Sequence, residues 1–169
     1  MTSKKHNIFN ALMIALPWIS VLFIGKRSIK RYSLSSVVIG IYEIISHLYG
    51  RKKKYWKFYD KPQKFIRDEL PFDIGPYVPI SMWILKYTYG NFKKFVLVNV
   101  IFNLFFAFIF IAFLKKIKIL RLYRLNYFQF FIYIHYKAYL LYAVQFLMEK
   151  VKRRRGMYSA TKKDEKIPS

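Results

Sequence analysis

The sequence predicts an all-α fold of the polytopic membrane kind, a helical bundle with four to five transmembrane helices. Three observations carry that expectation. The 169 residues are 55% hydrophobic and 21% aromatic, yet they include 31 Lys and Arg against 8 Asp and Glu, a formal charge of +23. Mean hydropathy is still +0.14, because long apolar runs alternate with short Lys/Arg clusters. And 17 Phe, 15 Tyr and 3 Trp need a larger core than a water-soluble domain of this length encloses. A disordered basic chain is excluded by the same apolar mass. With no cysteine, disulfides, thiolate metal sites and Cys nucleophiles are excluded as well.

The elements follow in order. Residues 8–24 carry no charge over 17 positions, which as a helix is about 26 Å, close to the roughly 30 Å hydrocarbon thickness. Lys4 and Lys5 precede this run, and Phe23-Ile24-Gly25-Lys26 lacks the small-x-small pattern of a cleavage site. It reads as an uncleaved first span that Pro17 kinks. Residues 34–50 form a second span that contains Glu43 and His47. In the polar insert that follows, Asp60, Pro62 and Gln63 have the order of a helix start, so a short interfacial helix is expected over 61–69. Residues 79–89 are apolar except for Lys86 but too short to cross alone. Residues 95–114 are the cleanest span, uncharged with a lysine pair at each end, and 127–148 form the last, interrupted by His135, Lys137 and Gln145. The bundle thus occupies 1–149, and 150–169 are expected to be a basic disordered tail.

Topology rests on Lys/Arg counts in alternate loops. Five crossings place 15 basic residues on one side and 14 on the other, whereas leaving 79–89 uncrossed gives 21 against 9. The second arrangement has the clearer bias and puts both termini in the cytoplasm.

An ionisable group at mid-bilayer costs at least about 2.5 kcal/mol on insertion scales. Glu43 lies beside the midpoint of 34–50, Lys137 at the midpoint of 127–148 and Asn103 beside that of 95–114. Together with His47, one turn from Glu43, and His135, near Lys137, they form an expected mid-membrane polar layer. This layer has two readings. One is helix glue, polar side chains fixing which helix faces meet. The other is a Glu43–Lys137 pair, with Asn103 as hydrogen-bond partner, on a proton or ion path. Glu43, His47 and His135 are too scattered for an expected metal centre, and no cofactor is implied. Asp68, Glu69 and Asp73 are acid–base candidates in principle, but the surrounding Lys and Arg would pair with them. Neither a phosphate-binding loop nor a nucleophile motif is present.

The basic residues have their own readings. A pI near 10.2 raises nucleic acid as a partner; the clusters lie between apolar runs rather than along one face, and no nucleic-acid binding is expected. Lys, Ile, Phe, Tyr and Asn also share A/T-rich codons, which inflates lysine without selection. Lys52, Lys53, Lys54 and Trp56, with Arg153, Arg154 and Arg155 after the last span, are expected to contact anionic lipid headgroups.

Leu16-Pro17-Trp18, Gly25-Lys26-Arg27 and the run Trp83 through Gly90 give the chain its likeness: it resembles small multi-pass membrane proteins of low-GC, spore-forming Gram-positive bacteria, a group with no established activity. The resemblance implies plasma-membrane location and a helical fold, and it transfers no site. The leading functional expectation is a non-enzymatic scaffold or accessory subunit for a membrane protein partner. The alternative is a small transporter or channel subunit, working as a homo-oligomer through the Glu43/Lys137 layer.

Overall fold

The computed structural model describes residues 4–59 and 63–164. The chain is mostly helical, in the order α1 (Lys4–Val21), α2 (Lys26–Lys52), β1 (Trp56–Phe58), α3 (Phe65–Asp68), α4 (Leu70–Phe72), α5 (Val78–Thr88), α6 (Phe92–Leu104), α7 (Ile111–Lys116), β2 (Leu120–Leu122) and α8 (Tyr127–Asp164). Two π-helical turns, Asp73–Tyr77 and Phe105–Phe110, join α4 to α5 and α6 to α7. The result is two unbroken rods over 70–88 and 92–116.

The first rod is the main departure from expectation. The prolines and glycine of 71–79 read as a broken stretch that leaves 79–89 ambiguous, a re-entrant segment or, extended back to Pro71, a poor third span. Pro71 and Pro79 instead stand in the first turns of α4 and α5, where a missing N–H costs little. Pro76 falls inside the π turn, a wider coil that absorbs a missing i→i−4 bond without ending the helix. Gly75 is needed there for space, because a Cβ would run into the backbone carbonyl of Met13. This is where α1 crosses the rod. At the other end Gly90 takes φ +98, the left-handed conformation that closes a helix, and Asn91 caps α6 by accepting from the Lys94 N–H at 3.0 Å.

Other boundaries move for simpler reasons. α2 extends back to Lys26 because the basic residues before position 34 are good helix formers. The interfacial helix shrinks to α3, with Lys64 rather than Asp60 in the cap position; Asp60 and Pro62 lie outside the described residues. α8 continues to Asp164, where a disordered tail was expected from 150 on. The Lys/Arg run prolongs a helix already nucleated by the apolar part of α8, with no proline to stop it.

The strands have no counterpart in the sequence reading. β1 and β2 pair antiparallel, Trp56 opposite Leu122, Lys57 opposite Arg121 and Phe58 opposite Leu120. Three-residue runs are too short to show a period of two. Alternation turns Trp56 and Phe58 inward and Lys57 outward. The like-charged Lys57 and Arg121 each settle over a tyrosine ring, Tyr123 at 3.4 Å and Tyr59 at 5.7 Å.

Two apolar clusters make the core. One gathers Ile24, Tyr32, Ile39, Met82, Leu85, Phe95 and Leu141, at the end of the molecule with the 22–25 and 89–91 turns. The other gathers Trp56, Phe58, Phe72, Ile111, Leu114, Leu120 and Phe130, at the strand end. Outside them, Leu and Ile side chains of α1, α2, α6 and α8 are exposed while Glu43, Asp73, Asn99, Lys137 and Gln145 are buried. Among the described residues one helix, Phe92–Lys116, is by itself long and apolar enough to cross a bilayer, and only 22% of its apolar window is buried. A soluble protein's core helix would be mostly enclosed.

Candidate functional site

Polar contacts run along the seam between α2 and α8, about one per helical turn and in antiparallel order. Arg31 donates to Glu149 at 2.6 Å. Ser35 donates to Gln145 at 2.6 Å, and Gln145 in turn donates to Glu149 at 2.9 Å. Farther along, Lys137 Nζ lies 2.7 Å from Glu43 Oε2. Last, the Tyr133 hydroxyl donates to the Ser46 carbonyl at 2.7 Å and lies 2.6 Å from Ser46 Oγ. Steps of three or four residues, with one double step of eight between Ser35–Gln145 and Glu43–Lys137, keep these side chains on the facing stripes of both helices.

The Glu43 position is the densest. His47, one turn on, brings Nε2 to 3.4 Å from Glu43 Oε1, while its Nδ1 contacts Asp73 of the π turn. Glu43, Asp73 and Lys137 are all nearly inaccessible, at 3%, 1% and 0% exposure. The Lys137 ammonium also stands 4.0 Å from the centre of the Tyr133 ring, a cation–π contact that compensates part of its lost hydration. The His47 and Trp56 rings meet in a T-shaped contact, centroids 5.0 Å apart. Two carboxylates, one ammonium and one imidazole thus form a continuous contact network that can hold or pass a proton or hold a cation.

Beside this network is a cavity of about 140 Å³, polar at Glu43, His47, Glu69 and Asp73, with aromatic walls including Trp56, Phe72, Phe102 and Phe130. Burial pushes the Glu69 carboxyl up to about 7, although the Arg51 guanidinium lies 3.6 Å away. At the exposed end of the seam the effect is opposite: the hydrogen bond from Arg31 holds Glu149 below its ordinary value.

The expected polar layer therefore divides. Glu43, His47 and Lys137 come together. Asn103 does not join them; it lines the cavity and bonds His135 Nδ1 at 3.1 Å, while His135 Nε2 lies 3.2 Å from the Tyr139 hydroxyl. The residue that completes the network is Asp73, which the sequence groups with Asp68 and Glu69 as a carboxylate expected to pair with Lys and Arg. A single acid inside a rod otherwise uncharged from Leu70 to Leu85 is its one signal, hidden by the prolines. Trp56 is a second correction. It is buried in the strand-end core, not set against lipid headgroups, because β1 alternation points it inward. Lys52, Lys53 and Lys54 are exposed at the end of α2, and Arg153 and Arg154 on α8; the Arg155 side chain lies outside the described residues.

No family model matches the chain, and no curated protein or solved structure is significantly similar to it.

Proposed function

We propose that the chain is an integral membrane protein with five crossings, and that its buried charged network is the ion-handling station of a small transporter or channel subunit. The exposed apolar and buried polar side chains support the membrane reading, since a soluble protein rarely exposes large contiguous apolar patches. Contacts at the two ends support this number of crossings. β1 pairs with β2, so 53–59 and 117–126 lie on one side of the bilayer. Arg31 pairs with Glu149 and stacks 5.4 Å from Tyr89, so 26–33, 89–91 and the start of the tail lie on the other. Only five crossings give both, with the 70–88 rod as the third span, at about 28 Å. The termini then fall on opposite faces, in place of two cytoplasmic ones, and the 15-to-14 charge count leaves orientation unbiased.

One observation carries the ion-handling reading. The Glu43–Lys137–His47–Asp73 network opens on a polar-floored cavity, whereas a pair serving only to fix helix faces needs none. The scaffold reading keeps one observation in its favour, the ladder of neutral and charged contacts along the whole α2–α8 seam. Reconstitution into liposomes holding a pH-sensitive dye separates the two. The ion-handling reading expects proton flux that falls at least tenfold in the neutral double variant Glu43→Gln with Lys137→Met, at unchanged thermal stability. Wild-type protein without flux, or flux equal in the double variant, favours the scaffold.

A further inference from the structure

We propose that Glu43, His47 and Asp73 form a binding site for one divalent first-row transition-metal ion, with zinc as the simplest occupant. This rests on the reading of the network as an ion-handling station and names its ligand. One donor atom from each residue lies within 4.8 Å of the others, contributed by two adjacent turns of α2 and by the π turn. Metal–ligand bonds of about 2.0–2.2 Å need the donors somewhat closer, a contraction that side-chain rotation supplies. An imidazole nitrogen with two carboxylate oxygens suits zinc, manganese or iron better than calcium or magnesium, which select all-oxygen sets.

Asp73 is the independent sign of a missing partner. Its Oδ2 is buried and has no hydrogen-bond partner among the described residues, and Asp73 lines the cavity. A buried acceptor without a donor is costly, and a cation against it removes that cost. The cavity leaves room for water as a further ligand, as in open zinc sites. Lys137 does not compete for the position, because it takes Glu43 Oε2 and leaves Oε1 on the His47 side. It acts as an outer partner that fixes the ligating carboxylate. With His47 neutral, the two carboxylates and the ammonium sum to a single negative charge, favourable to a dication. His135, the sequence-level candidate for a third ligand, is engaged by Asn103 and Tyr139 instead.

The test is a Co²⁺ titration of the full chain, purified metal-free in nanodiscs and followed by visible d–d absorption. One saturable equivalent, displaced by Zn²⁺, is expected. Asp73→Asn and His47→Gln should each weaken binding at least tenfold, while His135→Gln should leave it unchanged. Absence of a saturable Co²⁺ spectrum in the wild-type protein overturns the site whether or not the variants fold, and so does undiminished binding in Asp73→Asn. Proton flux that depends on Glu43 without any Co²⁺ binding overturns the metal site and leaves the ion-handling reading standing. Co²⁺ binding without flux supports the metal site and removes the transport reading.

Discussion

Arg31–Glu149 and Glu43–Lys137 join the same two helices with the same kind of charge pair, at 2.6 and 2.7 Å. What differs is the medium. The Arg31 and Glu149 side chains are 50% and 22% exposed, whereas those of Lys137 and Glu43 are 0% and 5% exposed. In water a pair of this kind contributes about 0–1 kcal/mol. In a buried site, removing one partner strands the other charge and costs about 3–5 kcal/mol. Equal geometry therefore does not mean equal weight, and the middle of the α2–α8 seam is where helix pairing is decided.

The largest effect should come from breaking the inner pair. Glu43→Gln is expected to lower stability by about 3–5 kcal/mol, and Glu43→Lys by more through like-charge repulsion. Exchange of both, Glu43→Lys with Lys137→Glu, should recover much of the loss. Thermal unfolding in detergent measures each variant, and a double-mutant cycle extracts the coupling. A coupling near zero would make the inner pair no different from the outer one.

Between the two pairs stands the buried Ser35–Gln145 contact. Ser35→Ala removes the donor and leaves the buried Gln145 oxygen unsatisfied, an expected loss of about 1–3 kcal/mol. A value near that of the inner pair would mean that burial, rather than charge, sets the scale along the seam.

The smallest effects belong to the outer pair, and pH separates it from the interior. Because Arg31 lowers the Glu149 pKa in the folded protein, the stability from this contact is full above the ordinary glutamate value and is lost as pH falls through the lowered one. Glu149→Gln should flatten that acid-side slope and change stability at pH 7 by under about 1 kcal/mol. Glu69 has the opposite sign. Raised to about 7 by burial, it favours the folded state below the ordinary value of about 4.3 and loses that contribution as pH rises through 7. Glu69→Gln should therefore remove a decline in stability between about pH 4 and 7. Unfolding midpoints measured across pH report both slopes.

The inner pair was legible in the sequence because depth can be counted: Glu43 and Lys137 each sit at the centre of an apolar run. Depth says nothing of azimuth, however. Asn103 shares the level, yet α6 turns it toward His135 rather than toward Glu43. Asp73 was illegible for a different reason. Prolines at 71, 76 and 79 are breakers by local rule, yet two of them fall in first turns and the third in a π turn, and Gly75 leaves room there for the Met13 carbonyl of α1. The strands escaped notice because three residues carry no period. Trp56, set among lysines, has the composition of an interfacial anchor, and only its pairing with Leu122 turns it inward. Those same strands carry the proposal of five crossings, where loop charges alone favoured four.

Both ends of the comparison depend on five crossings, since that arrangement puts Arg31–Glu149 at one membrane face and Glu43–Lys137 between the two. The chain has no cysteine, so single cysteines at the exposed positions Arg27, Lys53, Asn91 and Arg124 can be labelled with an impermeant thiol reagent in sealed vesicles. Arg27→Cys and Asn91→Cys should react from one side, and Lys53→Cys and Arg124→Cys from the other. Asn91→Cys reacting together with Lys53→Cys, and Arg124→Cys with Arg27→Cys, would mean that the 70–88 rod does not cross, and would contradict the account.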